Sequence, residues 1–489
     1  MVFAFRPLEG GYEIPMRMVA ANIYYEWLIY IIMLIPITFF LYGAFKRLRV
    51  WMVAKADASR NEKLVTRFIN FLYYTFTQRL VLRKPVAGIS HFFLFWGFIV
   101  LLIATASFAA WDKVGFPPLV DDFYIIFSAI VDIMGFLALI AIIVLAVIRY
   151  IQRPGRLNDT KPLDGWILFL IGSILFTGYI VEGLRIAGQI QLSANLSQIL
   201  YEKAASPIGW IFAGMFSGMS TESILSWHRF NWWFHMAISF LFIGLVTYTK
   251  LWHIFTGMLS YFFSNLEATD INVVENIEEA ETFGVENIEE LHWKDLLDLD
   301  ACIRCGRCQE ACPAYNTGKK LNPKITIIQT MKKHLDEKAP YLLEIKGDQQ
   351  EEGSLAMTVD EVNDVDQAFD QKEPMEQSLL YDIVSPEVLW ACTNCRACVV
   401  HCPMEIEHLS KITEMRRNLV MWQGDIPSEA QMAFTNLERN YNPWGVGWAS
   451  RAEWLTERKI RDQVNLLGED QGEFEYLLYG GCAVAFDDR

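Results

Sequence analysis

The sequence predicts an all-α membrane protein, a five-helix bundle followed by a mainly α-helical soluble domain, and three observations carry that expectation. The first is charge. Residues 1–262 hold 21 Lys and Arg against 14 Asp and Glu, whereas the remainder holds 21 against 43, so the overall −15 conceals two opposite halves. A single domain in a single solvent would not divide its charge this way. The second is a set of five apolar runs in the first half, each long enough to cross a bilayer, which takes about 20 helical residues. The third is that eight of the nine cysteines fall in the second half in two copies of one spacing.

The apolar runs are expected near 22–45, 88–110, 122–149, 164–187 and 230–262. Between the first two lies a basic connection with Lys46, Arg47, Arg49, Lys55, Arg60, Lys63, Arg67, Arg79, Arg83 and Lys84 against Asp57 and Glu62. The third connection adds Arg149, Arg153, Arg156 and Lys161, while 111–121 and 188–229 are poor in both cations. Positive connections stay in the cytoplasm, so the N-terminus is expected outside and the acidic half inside a bacterial or archaeal cytoplasmic membrane. Met1 to Ala20 is broken by charges and prolines, and no cleavable signal is expected there. Aromatic residues near 24–27, 227–233 and 249–252 fit interfacial belts. The basic connection 46–88 is explained by topology alone, with anionic lipid or a docked partner as alternative uses.

In the second half, Cys302, Cys305, Cys308 and Cys312 precede Pro313, and Cys392, Cys395, Cys398 and Cys402 precede Pro403. This is CxxCxxCxxxCP twice. Three thiolates from one tight loop grip one cubane, and the fourth reaches the neighbouring cluster. Cys302, Cys305, Cys308 and Cys402 are therefore assigned to one [4Fe-4S] cluster, and Cys392, Cys395, Cys398 and Cys312 to the other. A reducing compartment disfavours disulfides, and zinc sites do not ordinarily place a third cysteine and a CP at these offsets. Helical spacing predicts helices over Ile325–Leu335 and His408–Trp422, and the polar stretch Lys346–Gln377 reads as a solvated loop. The expected organisation is a membrane domain over 1–262, an acidic linker over 263–295, a two-cluster domain over 296–460 and a C-terminal segment over 461–489.

Four histidines lie in or beside apolar runs: His91, His228, His235 and His253. His235 and His253 are 18 residues apart, five turns and roughly 27 Å on an unbroken helix, which places one near each membrane surface. A titratable ring in a bilayer calls for a role, and axial ligation of b-type haem is the commonest for such a pair. His91, near the cytoplasmic start of the second run, matches His253 in depth, so the two are expected to share one haem. For a second haem at His235 no histidine partner appears in the outer halves of runs two to four, and Met134 is a weak substitute. Glu182 and Arg185, in TGYIVEGLRIAG, are the candidates for a quinone site, with an ion pair snorkelling to the interface as the plainer reading.

At this point the membrane half resembles the five-helix cytochrome b subunit of respiratory nitrate reductase and the cytochrome of heterodisulfide reductase, whose fifth helix carries two histidines at this spacing. Two-haem members of that group bear a further histidine ten residues after the first on helix two, where this chain has Leu101. The soluble half, with FGVENIEELHWKDLLDLDACIRCGRCQEACPA, LNPK, LWACTNCRACVVHCPMEIEHLSKITEMRRNLV and NPWG, is similar to the membrane iron-sulfur oxidoreductases related to heterodisulfide reductase. The resemblance implies a quinone reductase that takes electrons from electron-transfer flavoprotein, through the clusters and haem b, to menaquinone. The final GGCAVAFDDR resembles the opening of a CCG domain, in which Cys482 would be a cluster ligand, and the rest of that domain is expected elsewhere.

Two other functions compete with that expectation. In one, quinol feeds electrons outward to a heterodisulfide or sulfur-compound reductase. In the other, the bundle is a non-catalytic anchor with structural clusters. No GxGxxG follows a strand and no P-loop appears, so flavin must come from a partner, either a flavoprotein or the polypeptide supplying the CCG domain. An acidic soluble half excludes nucleic acid and suits a partner with a basic face.

Overall fold

The structure is a computed structural model that describes residues 22–117, 119–192, 196–267, 274, 277–280, 282–348, 373–468 and 475–487. The segment Met1–Ala20 and most of Lys346–Gln377 lie outside the described residues. Among those described, the chain forms helices and turns and no strand.

Five helical spans are long and apolar enough to cross a membrane: Leu28–Trp51, Pro85–Val114, Asp121–Gln152, Pro162–Leu192 and Thr221–Tyr248. Their helices are labelled in chain order together with the shorter ones between them. α1 is Leu34–Trp51, α2 Leu64–Thr77, α3 Pro85–Val114, α4 Asp121–Val147 and α5 Pro162–Leu192. α6 is Leu196–Ala205, α7 Pro207–Gly214, α8 Thr221–Leu245 and α9 His253–Phe262. The starts follow simple rules. Proline opens α3, where a missing N–H costs nothing, Asp121 and Asp122 sit in the first turn of α4, and Ser220 caps α8 through the Ser223 N–H.

Several stretches differ from the sequence expectation, among them the 46–88 connection, which carries α2 and the end of α1. The fifth span begins earlier, at Thr221, and is interrupted after Leu245 by two 3₁₀ turns, Val246–Tyr248 and Lys250–Trp252. The cause is local. Thr249 is extended, its hydroxyl donates to the Leu245 carbonyl and also accepts the Leu251 N–H, so a side chain replaces the helix ladder. His235 and His253 therefore lie on separate helices, and the 18-residue phase argument does not hold across the break. The connection 188–229 is likewise no plain loop, because α6 and α7 fold within it and α7 packs against α5.

The soluble helices are α10 Trp293–Ala301, α11 Arg307–Ala311, α12 Thr330–Asp348, α13 Pro386–Trp390, α14 Ala397–Val400 and α15 His408–Arg417. Packing groups 1–273 with 285–415 in one compact unit, and 274–284 with 416–489 in a second. Within the first unit the bundle and the cysteine-bearing segments are continuous. Lys55 donates its N–H to the Leu291 carbonyl and accepts from Trp293, while Arg60 forms a two-pronged bond to Glu407 at 2.8 Å. Beneath this pair lies a fully buried ion network in which Lys294 meets Asp298, and Lys411 meets Asp295 and Asp298 at 2.8 and 2.9 Å. Buried charge is tolerated because every ion has an opposite partner. In the second unit, α16 Ser428–Asn440 is followed by short turns and a helical turn, Cys482–Phe486, and the Trp444 ring lies against that of Phe486.

Candidate metal centres

Each cysteine loop repeats one backbone device. In the first, Arg304 and Gly306 are left-handed, and in the second Asn394 and Arg396 occupy the matching positions. These reversals turn the chain so that sulfurs at i, i+3 and i+6 converge, after which α11 or α14 begins. The second loop's Cys392, Cys395 and Cys398 line a partly open pocket together with Cys312, the last cysteine of the first motif. Cys402 correspondingly lies by Cys302, Cys305 and Cys308, whose sulfurs act on it electrostatically. The structure thus places Cys312 beside the second loop's cysteines and Cys402 beside the first loop's. No three His, Cys, Asp or Glu side chains among the described residues close on a single-ion site.

Burial raises these thiols, to about 11 at Cys302 and about 12 at Cys398, and well above the ordinary value at Cys308 and Cys402. Clustered buried sulfurs hold negative charge only against cations, which is the donor set that an iron cluster requires. Hydrogen bonds already aim at the sulfurs, from Gln329 to Cys302 at 3.5 Å, Asn394 N–H to Cys392 at 3.4 Å and Ile406 N–H to Cys402 at 3.5 Å. Such bonds raise the reduction potential of a cluster.

The first loop is embedded in the bundle's connections. Arg156 donates to the Cys305 carbonyl, Arg304 grips Asp164 through both oxygens, and Arg307 donates to the carbonyls of Leu80 and Val81 just before α3. Asp164 also takes Arg149 and Lys250, which joins α5 and the approach to α9 at one carboxylate. The second foursome is more open, and Cys395 is exposed. Cys482, in the second unit, is half-buried 4.0 Å from the Arg451 guanidinium.

On the bundle side, the rings of His91 (α3) and His253 (first residue of α9) lie 6.4 Å apart, centre to centre, tilted by 55°. His253 Nδ1 donates to the Lys250 carbonyl at 2.6 Å, which leaves Nε2 as the lone-pair nitrogen. His91 Nδ1 is enclosed and has no hydrogen-bond partner. A metal takes an imidazole nitrogen at about 2 Å, so two rings at this separation can flank one ion. The pair fits bis-histidine ligation of haem. α9 packs on the end of the second cysteine motif: the Tyr261 hydroxyl donates to the Pro403 carbonyl at 2.5 Å, and Gly257 lies against Met404 so closely that a Cβ would be 2.7 Å from its sulfur. One ten-residue helix therefore reaches from an imidazole to the segment that follows Cys402.

His235 has a different setting. Its Nδ1 shares a hydrogen bond of 2.9 Å with the Thr177 hydroxyl, and His228 is buried two turns earlier. Glu182 and Arg185 are not a snorkelling surface pair. Arg185 is buried, binds both Glu182 oxygens at 3.1 and 2.8 Å, and also binds Glu202 at 2.7 Å. Tyr124 donates to Glu202, Ser206 donates to Glu182, and the Asp132 carboxylate caps α7 through the Ile208 and Gly209 N–H groups. Sequence reasoning missed Glu202, Tyr124 and Asp132. The acid at 132 inside an apolar run was the one signal pointing here.

Comparison with known proteins agrees with this picture. A family described as 4Fe-4S dicluster domain matches residues 298–406. The whole chain is 63% identical to the EtfAB:quinone oxidoreductase of Syntrophomonas wolfei, covering 68% of that protein. It is 30% identical over 457 residues to the probable iron-sulfur-binding oxidoreductase FadF of Bacillus subtilis, covering 61% of it. A 197-residue stretch is 27% identical to a component of the dihydromethanophenazine:CoB–CoM heterodisulfide reductase of Methanosarcina barkeri, and covers 39% of each. No solved structure matches.

Proposed function

Since the chain belongs to the family of heterodisulfide reductase-related membrane iron-sulfur oxidoreductases that includes the EtfAB:quinone oxidoreductase of S. wolfei, we propose that it carries electrons from reduced electron-transfer flavoprotein to membrane menaquinone. Cys392, Cys395, Cys398 and Cys312 would hold the cluster nearer the donor, because Cys395 is exposed. Cys302, Cys305, Cys308 and Cys402 would hold the second, and His91 and His253 one haem b. When bound, these groups supply one-electron carriers between two-electron flavin and quinone chemistry.

The observation that carries this reading is α9, which begins at His253 and packs through Gly257 and Tyr261 on Met404 and Pro403, directly after Cys402. An imidazole on α9 and the segment after Cys402 packed against the same helix support a short route between the two kinds of centre. For the quinone, Arg185 with Glu182 and Glu202 offers buried charge and exchangeable protons within the bundle, as a site that protonates a reduced quinone requires. The basic connections 52–84 and 153–161 both contact the cluster-bearing segments, which fits a cytoplasmic soluble domain.

The test is purification in detergent, followed by anaerobic addition of reduced electron-transfer flavoprotein and a soluble menaquinone analogue. The expected result is flavoprotein oxidation matched by quinol formation, with a b-type haem band and two [4Fe-4S] signals in the protein. A preparation that quinol reduces but flavoprotein does not would reverse the direction, and one without haem would remove it from the route.

A further inference from the structure

α2 is amphipathic in the wrong sense for a helix in water. Leu64, Val65, Phe68, Ile69, Leu72, Tyr73 and Phe76 are all exposed, Val65 by 74% and Ile69 by 58%, and at 100° per residue they fall within one half of the helix surface. The charged residue Arg67 is buried on the opposite side. There its guanidinium donates to the Phe262 and Ser264 carbonyls, at the C-terminal end of α9, and to Ser59 and Glu62. A helix end attracts a cation, so Arg67 anchors the buried face and the apolar face is left over.

Seven large apolar side chains exposed together are costly in water, at about 25 cal/mol for each Å². The two ends of the segment decide what covers them. Before α2, Arg60 pairs with Glu407; after it, the carbonyls of Leu80 and Val81 accept from Arg307. Both anchors belong to the cysteine-bearing segments, so α2 leaves and returns on one side of the bundle. Its 14 residues, roughly 21 Å of helix, are also shorter than the hydrocarbon core of about 30 Å. The apolar face is continuous with the second span: Phe76 touches Phe95 and Trp96, and the Trp96 indole donates to the Phe76 carbonyl. Lys63 and Arg79 flank it.

We propose that α2 is an interfacial helix whose Leu64–Phe76 face is embedded among the acyl chains of the leaflet on the side of the cluster-bearing segments, with Lys63 and Arg79 at the level of the lipid phosphates. Basic flanks beside an aromatic and aliphatic face are the composition of helices that lie within a bilayer surface. The inference requires only that the five spans cross a membrane, and it is independent of the redox reading.

The test is photo-crosslinking of the purified full chain in nanodiscs of phosphatidylethanolamine and phosphatidylglycerol. p-Benzoylphenylalanine is placed at Phe68 or, separately, at Leu72, with Tyr381 on the soluble side as control. Illumination is expected to raise the chain mass by one phospholipid at Phe68 and Leu72, with no such shift at Tyr381. A crosslink to a second protein chain at either helix position, or the same absence of lipid adduct as at Tyr381, overturns the proposal.

Discussion

Gly306 lies so close to the Arg156 carbonyl oxygen that a Cβ on it would sit 2.4 Å away, against backbone that cannot swing aside. Gly306 also has a φ of +73°, which an alanine adopts only at a cost of about 1–2 kcal/mol before any clash. Gly306→Ala is therefore expected to loosen the first cysteine loop from the 153–161 connection. Iron and acid-labile sulfide per chain should fall toward one cluster, while Arg396→Ala, at the matching left-handed position of the second loop, should retain both.

The crossed foursomes predict paired phenotypes. Cys302→Ser and Cys402→Ser should remove the same electron paramagnetic resonance signal, and Cys392→Ser and Cys312→Ser the other, although the members of each pair are far apart in sequence. Loss of one signal by all four cysteines of a single motif would contradict the arrangement around the shared pocket.

At the imidazole pair, either His91→Ala or His253→Ala is expected to abolish the b-type band, with cluster iron unchanged. His235→Ala should leave it, since that ring is engaged by Thr177. A pyridine haemochrome assay on the three variants, together with iron–sulfide analysis, separates ligand loss from misfolding.

Acid sensitivity should arise at His408. Burial, and secondarily the Lys411 charge, push this ring down to about 4, and its Nε2 has no partner. The unfolded chain therefore takes a proton near the ordinary His value of about 6.5 that the folded chain refuses until about pH 4. Stability is full above that upper value and falls by about 1.4 kcal/mol per unit as the pH drops through the window. His408→Gln should flatten the melting temperature between pH 6.5 and 4.5 relative to wild type.

The two kinds of site were legible in the sequence to different degrees. The cysteine spacing carries its own geometry, because three thiolates on one short loop fit few other sites, and the five spans announce themselves by apolar length. His91 and His253 were legible as a pair by depth alone, although their helical phase was not, since the Thr249 hydroxyl interrupts the ladder where the apolar pattern continues. Glu202 and Tyr124 were illegible because they belong to tertiary contacts across α4, α5 and α6, and α7 is too short to register as an element against the membrane-length runs. α2 was hidden by ten basic residues counted along its connection, whereas its amphipathic face shows only when exposure is known.

The clamp formed by Arg60 with Glu407 on one side and Arg307 with the Leu80 and Val81 carbonyls on the other has a kinetic corollary. Redox modules on hinges ferry charge by swinging, and their turnover slows as the medium thickens. Here the thiolate sites are bolted to the helices that they serve, so internal transfer should be indifferent to solvent viscosity. Only encounters with a soluble redox partner should feel it.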